Sequence, residues 1–173
     1  MPLYRLLGGG PRAAKAYAGG ISLGYQEPSS LAEEAQQYVD QGYRAVKLRV
    51  GDTPANDIAR VRAVRKALGD EIEILTDANT GYSLDDARRV MPAFEECGVG
   101  WLEEPFPAQD YRDYKIAAGF ARVPLAAGEN HFTRFEFTRL LEDNAVRFAQ
   151  PDVSKTGGVT EIMRIAAMCS AWK

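Results

Sequence analysis

Asp77, Glu103 and Glu129 are the residues whose type and spacing most directly suggest chemistry. Successive members are 26 residues apart, and they fall at the ends of three short apolar runs, Ile72–Asp77, Gly100–Glu104 and Leu125–Glu129. Carboxylates brought side by side repel one another unless a cation lies between them. An all-oxygen ligand set with room for water and substrate suits Mg2+. Zn2+ suits it less, because no His or Cys shares the interval. Acidic residues at strand ends also serve as helix caps or surface charges, and that alternative stands for each taken singly. The equal interval is what favours a metal. Lys47 and Arg49 lie two residues apart on one apolar run, so strand alternation directs both side chains to one face and one cavity.

These residues need elements to carry them. Six apolar runs read as strands: Lys15–Leu23, Ala45–Val50, Ile72–Asp77, Gly100–Glu104, Leu125–Glu129 and Val146–Asp152. A helix-like stretch follows each. Ser30-Leu31-Ala32-Glu33 is a capping box, with Gly42 as its stop. Pro54 opens a helix that Gly69 closes, and Ser83-Leu84-Asp85-Asp86 starts one ended by Gly98. Asp110, Thr133 and Thr160 are the expected caps of three more. Such alternation predicts parallel strands with crossover helices. The fold class expected is α/β, an incomplete (β/α)8 TIM barrel with about six of eight strand–helix units. An open doubly wound sheet is the rival, but it would not gather three carboxylates at one rim.

Composition narrows the function classes. At 173 residues, 46% apolar and 26% charged, the chain has the make-up of one ordinary globular domain. A net charge of −3 with both signs interspersed offers no basic stripe for nucleic acid. No apolar run approaches the roughly 18 residues of a membrane span, and MPLYRLLGGG lacks a signal-peptide core. Cys97 and Cys169 sit at no metal spacing and read as buried, reduced thiols of a cytoplasmic protein.

Several motifs share an ordered likeness. Val46-Lys47-Leu48-Arg49-Val50-Gly51, Thr76-Asp77-Ala78-Asn79, Trp101-Leu102-Glu103-Glu104-Pro105, Gly128-Glu129-Asn130, and Gln150-Pro151-Asp152 with Lys155-Thr156-Gly157-Gly158-Val159 run through the chain in that order. The set resembles the mandelate racemase subgroup of the enolase superfamily. The resemblance implies Asp77, Glu103 and Glu129 as Mg2+ ligands, and Lys47, Arg49 and Asp152 as catalytic residues. It implies Asn79 at the substrate, with Asn130 in the Gly128-Glu129-Asn130 motif beside it; His131, two residues after Glu129, is placed by its position in the sequence on a loop where it could touch substrate. His131 is equally expected to be a loop-packing residue. Glu104, of opposite parity to Glu103, is expected to be structural. By the same likeness, residues 1–173 form a partial C-terminal barrel domain without the family's N-terminal capping domain and last barrel strands.

The family's shared step is abstraction of a proton beside a carboxylate, with the resulting charge stabilised by a metal and nearby cations. Arg49 stands where a second Lys would act as base. Arginine is effectively always protonated, so Arg49 is expected to bind a carboxylate or hydroxyl, or to pair with a metal-ligating carboxylate. Asp152 is expected to orient a His that lies beyond Lys173. A single base favours a Mg2+-dependent acid-sugar dehydratase acting on a small carboxylate. A racemase or epimerase is the near alternative, and an inactive metal-binding fragment the distant one. A homo-oligomer is expected. Tyr82, Arg134 and Lys155 are further candidates for the site. Phe94, Phe106, Phe135 and Phe137 are expected in the core or at an interface.

Overall fold

The computed structural model describes residues 1–19 and 23–172. Among the described residues there are six strands: β1 (Ala18–Gly19), β2 (Ala45–Arg49), β3 (Glu73–Asp77), β4 (Val99–Glu103), β5 (Leu125–Ala127) and β6 (Phe148–Ala149). All pair in parallel, and their order in the sheet is their order in the chain. A doubly wound sheet reverses direction at a switch point, whereas a barrel advances one way. The sheet is therefore an arc of a (β/α)8 barrel, six strands long. Among the described residues of the expected first strand, Lys15–Leu23, Ala18–Gly19 is strand; positions 20–22 lie outside the described residues.

The helices are α1 (Leu3–Leu6), α2 (Pro28–Asp40), α3 (Pro54–Leu68), α4 (Leu84–Glu96), α5 (Tyr111–Ala118), α6 (Thr133–Glu142) and α7 (Val159–Ala171). Proline opens α2 and α3, where the first-turn N–H has no helical partner to lose. For α2 this displaces the expected box: Glu27 is the cap position and Ser30 already lies inside the helix. Gly42, at φ 102°, still ends it, with its N–H on Val39 O. Ser83 and Asp86 exchange the two bonds of a capping box at α4. Asp110 caps α5 as expected. Thr133 and Thr160 do not cap. Phe132 precedes α6, with its N–H bound by Glu136, and Gly158 precedes α7.

Each strand has two faces with different tasks. Val46, Leu48, Ile74, Leu102 and Leu125 face the helices and join Leu31, Val61, Val64, Phe94, Tyr114 and Phe137 in one buried core. Each such side chain contributes roughly 1.5–3 kcal/mol by leaving water. Phe106 is buried there too, while Phe135 is exposed under the Arg134 guanidinium. The other face carries Lys47, Arg49, Asp77, Trp101 and Glu103. A bulge in the β3–β4 pairing brings Trp101 onto that face, and Thr76 Oγ1 donates to Trp101 O across it. Gly100 lies close to the Leu75 side chain, where a Cβ would come within 2.8 Å of Leu75 Cδ2 and make that side chain shift. Both cysteines are free. Cys97 is buried and its thiol pKa is pushed up by burial, while Cys169, expected to be buried, is partly exposed. Among the described residues no helix is long and apolar enough to cross a membrane.

Candidate active site at the strand ends

Asp77 and Glu103 are the last residues of β3 and β4 and are directly paired in register. Lys47 Nζ, from β2, donates to Asp77 Oδ2 at 3.1 Å and to Glu103 Oε1 at 3.0 Å. The three side chains are only 16%, 9% and 5% exposed. Arg49 Nη1 lies 3.7 Å from Asp77 Oδ2, so it pairs with a candidate metal ligand, one of the two roles expected of it. Asp77 Oδ1 accepts the N–H of Asn79, whose own residue sits exposed at φ 43°. Glu103 Oε2 accepts Trp101 Nε1–H at 3.0 Å and Gln150 Nε2–H at 3.1 Å. Burial is the largest influence on Lys47 and opposes its charge. Glu103 and Asp77 together outweigh it, so the net pKa is raised. Lys47 is thus an ammonium at neutral pH and a holder of negative charge.

Glu129 does not stand level with the other two. The partner of Glu103 is Ala126, so the equal sequence interval carries Glu129 beyond the end of β5, at Ala127. The chain leaves strand geometry at the next residue. At Gly128, φ 150°, a Cβ would lie 2.7 Å from the Gln150 carbonyl carbon. The strand gives way to a turn, closed by His131 N–H on Gly128 O at 3.1 Å. Glu129 still lines the same cavity of about 260 Å³ as Tyr17, Lys47, Arg49 and Asp77.

Other expected site residues are engaged elsewhere. Asn130 was expected at the substrate, yet its N–H and Nδ2–H donate to Glu104 at 3.2 and 2.6 Å, and its Oδ1 accepts Lys155 Nζ–H at 2.9 Å. His131 is fully buried among Tyr111, Tyr114 and Phe137, with ring centroids 5.9, 6.4 and 5.6 Å away. The tight turn after Gly128 tucks it into that aromatic box, closed off from a substrate. Burial holds its pKa below the usual imidazole value. Asp152 Oδ1 accepts the N–H of Ser154 at 2.7 Å and its hydroxyl at 2.5 Å. Those bonds keep the carboxyl below the usual range and therefore ionised. Tyr82 O–H donates to Asp57, and Arg134 pairs with Glu161. Glu104, at φ 39° and 1% exposed, lies just past the end of β4 and accepts hydrogen bonds from Asn130.

Three further residues belong to the site. Trp101 and Gln150 hold Glu103, and Tyr17 presents its ring 5.7 Å from Lys47 Nζ. Trp101 was findable, since it is two residues from Glu103 and shares its face. Gln150 opens the Gln150-Pro151-Asp152 motif without having been assigned a role, and Tyr17 carries no local signal.

Among the described residues no three His, Cys, Asp or Glu side chains are gathered tightly enough to hold a metal ion. The donor chemistry nonetheless fits Mg2+. Asp77 and Glu103 converge on one cationic nitrogen, and Glu129 faces the same cavity. Two cationic side chains oppose three carboxylates, all of them hard oxygen donors.

Comparison with known proteins agrees with this geometry. A family model described as "Enolase C-terminal domain-like" matches residues 30–173. Arabinonate dehydratase of Saccharolobus solfataricus is 35% identical over 96% of this chain and 45% of its own length. A crystal structure of an enolase superfamily member from Polaromonas sp. JS666 superposes with a TM-score of 0.96 and 60% identity, over 99% of this chain and 46% of that one. A racemase from Streptomyces coelicolor A3(2), solved with bound magnesium, gives 0.92 and 32%, over 99% of this chain and 51% of that one. The chain spans about half the length of the curated relatives it matches. With a parallel barrel arc, carboxylates at its strand ends and a family match over most of its length, the chain belongs to the enolase superfamily as an enolase C-terminal domain-like member.

Proposed function

We propose that this chain supplies the metal- and acid-binding half of the active site of a Mg2+-dependent acid-sugar dehydratase. The observation that carries the reading is the convergence of Asp77 and Glu103 on the Lys47 ammonium, beside a cavity that Glu129 also lines. Asp77, Glu103 and Glu129 would hold the ion, which when bound supplies Lewis-acid stabilisation of charge on a substrate carboxylate. Lys47 adds a fixed positive charge at the place where negative charge grows as the neighbouring proton leaves. Arg49 binds the acid or a hydroxyl and keeps its own proton, which leaves the base to another residue. Asp152, ionised and partly exposed, is suited to accept a hydrogen bond from an imidazole base. Loss of the β-hydroxyl as water, protonated as it leaves by the conjugate acid of the base, then gives an enol that tautomerises to a 2-keto-3-deoxy acid. The name of the arabinonate dehydratase relative agrees with a sugar-acid substrate. The two free thiols suit a reducing compartment, the cytoplasm.

The test is a Mg2+ titration of the chain by calorimetry, followed by titration of a panel of aldonic acids with and without Mg2+. Acid binding that appears only with Mg2+, and is lost in Asp77→Asn, supports the reading. Acid binding indifferent to Mg2+ overturns it. In the full-length enzyme, incubation in D2O separates the chemistries. Formation of a 2-keto acid marks a dehydratase, and deuterium uptake without loss of water marks an epimerase.

A further inference from the structure

We propose that Glu104, Asn130 and Lys155 form a clamp that positions Glu129. The proposal rests on the reading of Glu129 as a cation ligand and explains how a residue outside the sheet is held for that task. Glu104 directly follows β4, Asn130 lies in the turn after β5, and Lys155 lies in the turn after β6. The clamp therefore ties three consecutive strand ends together. Its hydrogen bonds run in one direction. Lys155 Nζ–H donates to Asn130 Oδ1, and Asn130 Nδ2–H donates to Glu104 Oε2. An amide has one accepting and one donating end, so a cation on the Oδ1 side turns the NH2 toward the carboxylate. The backbone N–H of Asn130 donates to Glu104 Oε1, which fixes the peptide plane immediately after Glu129.

Glu104 is suited to this work. It is 1% exposed, and its N–H is bonded to Ala126 O, so its own backbone is anchored on β5. On the far side of Glu129, Gly128 lies against Gln150. One residue beyond Asn130, His131 fills its aromatic box. The turn is thus held before and after Glu129, leaving that side chain on the cavity wall. Hydrogen-bond partners that orient a ligand typically change metal affinity by about 10–100-fold when removed. Lys155, Asn130 and Glu104 are positioning residues acting through Glu129.

The test compares Lys155→Met, Lys155→Arg and Glu129→Gln in the whole chain. Mg2+ affinity is read by calorimetry and the exchange of the Asn130 amide by hydrogen–deuterium exchange. Lys155→Met is expected to speed exchange at Asn130 by about tenfold and to weaken Mg2+ binding by about tenfold. Its melting temperature without Mg2+ should stay close to that of the parent. Lys155→Arg, which keeps a cationic donor, should restore both readouts. Unchanged exchange at Asn130 in Lys155→Met overturns the clamp whatever the metal does. Faster exchange with unchanged Mg2+ affinity, while Glu129→Gln weakens that affinity, also overturns it but leaves the metal-site reading intact. Mg2+ binding that is absent, or indifferent to Glu129→Gln, overturns both.

Discussion

Two buried charge clusters lie at the ends of the strands, and they differ in how completely their charges are answered. On the helix side, Asp57 is fully buried. It accepts the N–H groups of Gly51 and Asp52, the Tyr82 hydroxyl and Arg60 Nη1. Arg60 in turn donates to Gln26 O, Tyr25 O and Asp52 Oδ2. That cluster ties the loops after β1, β2 and β3 to the first turns of α3. On the inner face, Lys47 and Arg49 confront Asp77, Glu103 and Glu129 beside an open cavity. A buried ion pair whose partners are largely backbone groups holds structure together. A cluster with more carboxylates than cations, facing a cavity, is placed to take up a further cation.

The contrast is testable. The largest expected effect is from Asp57→Leu. It removes the acceptor of four hydrogen bonds, leaves Arg60 with Asp52 as its remaining carboxylate, and should cost about 3–5 kcal/mol in chemical denaturation. Added Mg2+ should not restore it. Glu103→Gln is expected to do the reverse, lowering Mg2+ affinity in calorimetry roughly a hundredfold, or about 2.7 kcal/mol. Stability without Mg2+ should fall by less than in Asp57→Leu, because Lys47 keeps its bond to Asp77 and the new amide oxygen can still accept a hydrogen bond. Equal losses of stability in both variants would erase the distinction. Tyr82→Phe removes one bond to a charged acceptor and should cost about 1.5 kcal/mol, with Mg2+ affinity unchanged.

The smallest effect is a pH dependence. Burial, the leading cause, raises the Asp57 pKa above its ordinary 3.8, against the hydrogen bonds that lower it. In that window the folded chain binds the proton more tightly than the unfolded chain. The associated stability is fully present below 3.8 and is lost as pH rises through the folded value. Urea titrations over a pH series should therefore show the parent losing stability relative to Asp57→Asn as pH climbs. An identical slope in the two proteins would place Asp57 outside this account.

Much of the architecture was legible because it follows from local rules. Pro54, Gly69, Ser83 and Gly98 mark helix boundaries through their own backbone geometry, and the structure keeps all four. The Ser30 box failed because Pro28 offered a better start two residues earlier. Asp77 and Glu103 were legible because alternation and equal spacing agree when paired strands have matching lengths. The same arithmetic set Glu129 at a strand end, whereas β5 stops at Ala127 and Glu129 follows on the turn, lining the same cavity as Asp77. His131 and Asn130 read as site residues from proximity in sequence. Neighbours in sequence on a tight turn point in different directions, and these two face an aromatic box and a carboxylate.

By itself, then, the sequence determined the class of fold, the order of its units and the identity of the carboxylates at two strand ends. These depend on periodicity, turn residues and motif order, all of which are local along the chain. Only the tertiary structure decided that Lys47 bridges Asp77 and Glu103, that Gln150 and Trp101 hold Glu103, and that Asp57 rather than substrate receives Tyr82. Those contacts join residues as much as 56 positions apart. They depend on strand register, on the β3–β4 bulge and on the close approach of Gly128 to Gln150. Register is set by how whole faces pack, and a shift of one residue turns every side chain to the opposite face.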